Sequence, residues 1–110
     1  MGTRDGELVQ GSLDMLILKA LVRGPRHGYE VMRWIRQISD GDLRLEEGAL
    51  YPALHRLAAR GWASARWGLS DTGRQAKFYT LTDEGRRALD QETSAWRRYV
   101  HAVARVLEAT

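Results

Sequence analysis

A mainly helical domain with one small β-hairpin is the fold that this 110-residue chain predicts, on three observations. Apolar residues recur at helical spacing in four separate stretches. Between Gly61 and Thr82 that spacing gives way to two short runs of aromatic and small residues around GLSDTGRQ, a segment of turn chemistry. The final stretch then continues without a breaker to about Glu108.

The elements follow in order. Ser12 is placed to cap a first helix that runs to about Arg23. Its apolar residues Leu13, Met15, Leu16, Ile17, Leu18, Ala20, Leu21 and Val22 go almost all the way round, which demands burial on more than one side. A domain this small has little interior, so part of that surface, Leu13 and Leu16 included, is expected against a second subunit. Gly24-Pro25 stops the helix. A second helix from about His27 to Ile38 carries the stripe Val31, Met32, Ile35 and Ile38, and Gly41 ends the region. Leu43 and Leu45 alternate with Asp42 and Arg44 over a few extended residues. A third helix from about Glu46 to Arg60 turns Leu50, Ala53, Leu54 and Leu57 to the core. Gly48, Tyr51, Pro52, His55, Arg56 and Ala59 lie on its opposite face. Gly61 is its C′ stop. Pro52 has no N–H and belongs near the first turn, or bends the helix where it stands.

Trp62 to Trp67 and Ala76 to Leu81 read as the two strands of the hairpin. Thr82 caps the last helix, with Asp83 and Glu84 in its first turn complementing the helix dipole. Leu89, Trp96, Val100, Val103 and Leu107 fall near one face of it. The order of elements is that of a winged helix-turn-helix over residues 11–81, after a flexible lead-in over 1–10 and before a long C-terminal dimerisation helix over 82–110.

Charge points to the partner. From Gly48 to Thr80 the chain carries Arg56, Arg60, Arg66, Arg74 and Lys77 against one acid, Asp71; this formal +4 exceeds the +3 of the whole chain. One sign of charge on a helix-plus-hairpin unit is the footprint of a nucleic-acid binder. A major groove admits one helix, read from near its N-terminal end. Gly48 and Ala49 let the backbone approach, and Tyr51, His55 and Arg56 offer donors. Arg74 and Lys77 on the hairpin are set for the sugar-phosphate backbone. Glu46 and Glu47 stand near the helix end that meets DNA, where they repel phosphate or accept from cytosine N4.

Other function classes find no support. There is no cysteine, so no disulfide, thiolate nucleophile or Cys-based metal site. His27, His55 and His101 are far apart, and Glu46-Glu47, being adjacent, point to different faces of a helix. No Gly-rich phosphate loop occurs. No enzyme activity, metal or cofactor is expected. No apolar run has the length of a membrane span, and MGTRDGELVQ lacks the apolar core of a secretory signal. A cytoplasmic, nucleoid-associated protein with no membrane partner is the expectation. Four tryptophans fit packing; alternatively Trp96, with Trp34, walls a pocket between subunits that stacks a small planar aromatic effector.

The segments QGSLDMLILKAL, GPRHGYEV, EEGALYPALHRLAARGW and GRQAKFYTLTDEGRRAL together resemble the PadR family of bacterial transcriptional regulators, over roughly residues 10 to 107. The single helix after the hairpin is similar to the family's short subgroup. The resemblance implies a homodimeric repressor of its own or a neighbouring operon, bound to an inverted-repeat operator in double-stranded DNA and released by a small aromatic ligand. It places Tyr29, Tyr51 and Arg56 at DNA-facing positions, Arg74 and Lys77 on the wing, and Trp96 at a ligand pore between subunits. It also implies that the last helix crosses its mate with help from the first. Gln75 and Ala76 interrupt the basic run usual in such wings, and Thr80 stands where Arg is frequent. The competing reading is a winged-helix module for protein contact or dimerisation that binds DNA weakly.

Overall fold

The structure is a computed structural model that describes residues 12–110; the lead-in expected over 1–10 lies outside the described residues. A first helix, α1, covers 12–20 and unwinds through a turn over 21–23, tightened by Val22 N–H donating to the Lys19 carbonyl and Gly24 N–H to that of Leu21. Then come β1 (Arg26–His27), α2 (Gly28–Ile38), α3 (Glu47–Ala59), β2 (Ala63–Leu69), β3 (Gln75–Leu81) and α4 (Asp83–Glu108). The three strands form one antiparallel sheet in the order β1-β3-β2. β1 is an addition to the expected hairpin. Two residues carry no periodicity, so only their pairing with Phe78 and Tyr79 makes them a strand.

The core is built from all the helices and the base of the sheet. Leu13, Ile17, Leu18 and Leu21 pack with Val31, Ile35, Leu50, Leu54 and Leu57, closed by Ala63, Tyr79, Leu81, Ala88 and Leu89. Two expectations change here. Leu13 is only 1% exposed within the protomer, so it has no surface to offer a second subunit; Leu89 is likewise buried. The all-round apolarity of α1 is met mostly by its own domain, because the other elements enclose it. Ile38, expected in the core stripe of α2, is exposed: it is the last residue of the helix and falls past the edge of the core.

Each helix end has a chemical cause. His27 closes a capping box on α2: its backbone N–H donates to Glu30 Oε1 at 3.1 Å, and its Nδ1 accepts from the Glu30 N–H at 3.3 Å. After α3, Trp62 N–H donates to the Leu57 carbonyl and Gly61 N–H to that of Ala58, with Gly61 at φ +79°. This is the Schellman closure that favours glycine. Pro52 sits inside α3, in its second turn, so of the two expected placements the first-turn one does not apply. Thr82 joins the hairpin to α4. Its Oγ1 accepts from Gly85 N–H at 3.0 Å and donates to the Gly61 carbonyl at 2.6 Å, while its N–H donates to the Trp62 carbonyl. Gly85 is packed so tightly there that a Cβ would overlap the Trp62 carbonyl oxygen.

α4 runs for 26 residues, but only its first turns, at Gly85, Ala88 and Leu89, are buried. The remainder projects from the domain and gives the chain extents of 57 × 30 × 20 Å.

Candidate nucleic-acid interface

The sheet register decides which side chains face α3. Directly paired residues share a face in an antiparallel ladder. The pairs Ala63–Leu81, Ala65–Tyr79, Trp67–Lys77 and Leu69–Gln75 therefore lie on one side of the hairpin. At its base this side is core: Ala63, Tyr79 and Leu81 are buried. Further out the helices end, and Trp67, Leu69, Gln75 and Lys77 overhang. The opposite side is closed by Phe78, which packs edge-on against His27 at 5.3 Å and lies over Gly68.

A groove of about 550 Å³ opens beneath the overhang. Tyr51 and His55 of α3 form one wall, Trp67, Arg74 and Lys77 of the wing the other, and Tyr29 and Arg33 of α2 the end. Tyr51 packs closely on the head of α2: a Cβ on Gly28 would lie 2.7 Å from its ring, so the phenol keeps this position because residue 28 has no side chain. Tyr51 is still 40% exposed. Beneath it Tyr79 is held neutral above the ordinary value of 10.0, by burial first and by the neighbouring Tyr51 second.

Tyr29, Tyr51, His55, Arg74 and Lys77 are thus brought together, as the sequence led us to expect. Gly48 lies in the first turn of α3 with open space where a side chain would stand, and Ala49 is half-buried against the core. Arg56 is not brought to the groove. Its guanidinium donates to Asp14 Oδ1 of α1 at 2.9 Å, and Arg60 reaches the other carboxylate oxygen at 3.5 Å. Residues 56 and 60 are one helical turn apart and so share a side of α3, next to the side that carries Tyr51 and His55.

Beyond Tyr29, sequence reasoning missed the basic residues of α2. Arg33 lines the groove and stacks over Tyr29 at 5.4 Å. It also borders a second hollow, with Arg36, Gln37, Arg44 and Tyr29 but no carboxylate. The signal was present, since Arg33 and Arg36 are three apart on the outer side of a capped helix.

At the far end of the molecule, Trp96 is 40% exposed and tilts against Tyr99 at 6.0 Å. It borders shallow hollows between α1 and α4 whose linings include Asp14, Met15, Leu16 and Glu92. Trp34 is not part of them; its ring packs beneath Arg26 at 5.6 Å.

The family model for the "Transcriptional regulator PadR-like family" matches residues 17–91, which includes α2, α3, the whole sheet and the root of α4. The chain belongs to this family. A PadR family transcriptional regulator from Eggerthella lenta superposes with a TM-score of 0.82 at 30% identity, over 99% of this chain and 93% of that one. A transcriptional regulator from Clostridium thermocellum also gives 0.82, at 27% identity over 90% and 96%. The negative transcriptional regulator PadR of Bacillus subtilis is 29% identical over 77 residues, 70% of this chain; the chain spans 42% of that longer protein. In this PadR-like chain, no helix among the described residues is long and apolar enough to cross a membrane.

Proposed function

We propose that the chain acts as a dimeric, DNA-binding repressor. The observation that carries this is the groove itself: Arg33 from α2, and Arg74 and Lys77 from the hairpin, reach it around Tyr51 and His55, and none of the three cations has an ion-pair partner among the described residues. α3 enters a major groove from the Gly48 end, and the wing crosses the flanking backbone. Arg36 and Arg44 extend the cationic surface on the α2 side, which offsets the interrupted basic run of the wing.

The dimer is supported by the outer part of α4, where Trp96, Val100, Val103 and Leu107 hold an exposed stripe with no core to cover it. A second copy laid along that stripe buries it and sets two α3 helices about a two-fold axis. The operator is then an inverted repeat with half-site centres about one DNA turn, roughly 10 bp, apart. Repression is supported by the similarity to the negative regulator of Bacillus subtilis. Effector release belongs to the same proposal: Trp96 and Tyr99 offer two neighbouring rings beside the Glu92 carboxylate, which suit a planar guest, while the Asp14 carboxylate on the same hollow is already taken by Arg56 and Arg60.

The test is fluorescence anisotropy with duplex DNA taken from upstream of the chain's own gene, titrated at several salt concentrations. Binding should weaken steeply with salt. Arg33→Ala and Tyr51→Ala should weaken it more than Arg56→Ala, whose guanidinium is already held by Asp14. A wild-type protein with no affinity for duplex DNA at low salt would instead favour the protein-contact module.

A further inference from the structure

Trp67 is 64% exposed, in the middle of the wing, facing the groove. A bare indole is costly to leave in water, and its cross-strand partner is Lys77, with Arg74 further round the turn. An apolar plate beside two cations matches a ligand that alternates anion and hydrocarbon.

Resting on the DNA-binding reading above, we infer that the groove takes a single sugar-phosphate strand of the duplex and that Trp67 packs on its deoxyribose rings. One strand of backbone is the ridge that separates major groove from minor groove. A protein with α3 on one side of that ridge and a hairpin on the other must hold the ridge between them. The phosphates of such a ridge meet Arg33, Arg74 and Lys77 and the Tyr51 hydroxyl. The sugar faces between the phosphates present C–H groups, which no cation in the groove satisfies and an indole does. The two acids of the lining are Glu30, whose carboxylate accepts from the His27 N–H, and Asp71 in the hairpin turn. Trp67 thus adds affinity without adding charge, in a wing whose basic run is broken by Gln75 and Ala76.

This division of labour has a distinct thermodynamic signature. A contact to phosphate releases counterions, and a contact to sugar does not. With a fluorescein-labelled duplex of random sequence as probe, Trp67→Ala should raise Kd about fivefold, the loss that follows from re-exposing roughly 40 Å² of buried apolar surface. It should leave the slope of log K against log salt as in the wild type. Lys77→Ala should flatten that slope by about 0.9. Trp67→Phe should keep most of the affinity and lose the DNA-induced change in tryptophan emission that the wild type is expected to show. Circular dichroism of both Trp67 variants should match the wild type, since the side chain is outside the core. Unchanged affinity in Trp67→Ala, or a slope flattened as in Lys77→Ala, overturns the inference while the DNA-binding reading stands. A wild type that does not bind the duplex overturns both.

Discussion

The root of α4 and its outer two-thirds carry the same kind of apolar stripe and meet opposite fates. At the root, Ala88 and Leu89 are buried, Gly85 is pressed on the Trp62 carbonyl, and Thr82 ties the helix to the end of α3. Further along, Val100, Val103 and Leu107 continue that stripe into solvent. The hairpin repeats the pattern. Ala63, Tyr79 and Leu81 are core, and Trp67 and Leu69 on the same side are bare. In both elements the inward-facing pattern outruns the core that one chain supplies. Under the proposed function, the overhangs are the apolar surface that DNA or a second copy covers.

The sharpest way to break this contrast is at the root. Gly85→Ala puts a methyl group into a backbone oxygen that cannot rotate away, so it should destabilise by about 3 kcal/mol, the upper part of the range for overpacking. Urea denaturation followed by circular dichroism measures it, and a loss below 1 kcal/mol would mean that the root is not closely packed. Thr82→Ala removes the cap of α4 and the bond to the Gly61 carbonyl together, and should cost about 1–2 kcal/mol by the same measurement. A neutral result would show that α4 is held by packing alone. Smallest in its effect on the protomer should be Val103→Glu, on the overhang. Helix content should be unchanged, while light scattering reports half the wild-type mass. A variant that unfolded, or one that kept the wild-type mass, would remove the distinction between root and overhang.

Much of this was legible without coordinates, because it depends on local chemistry. The Gly24-Pro25 stop, the Gly61 closure, the Thr82 cap and the long stripe of α4 are each written within a few residues of where they act. Tyr51, His55 and Lys77 were legible as a group because helix period and strand alternation fix which side of an element a residue takes. The rest depends on which elements meet. Asp14 and Arg56 are 42 positions apart, and nothing near either residue announces the ion pair that takes Arg56 from the groove. The two-residue β1 exists only through β3.

Trp67 makes the same point within one strand. Strand alternation puts it on one side with Ala63 and Ala65. Whether that side is core or open groove depends on how far the helices beneath it extend, and the strand itself carries no record of that distance. α1 is the converse: its sequence demanded burial all round, and only the packing of the other elements showed that its own domain, rather than a second subunit, encloses Leu13. The sequence by itself determined the elements, their ends, their charge and the side each residue takes, because those follow from the chain's covalent geometry and nearest neighbours. The tertiary structure decided where the core stops, and with it which apolar and cationic side chains are left for a partner, because that boundary is set by contacts between residues far apart in the chain.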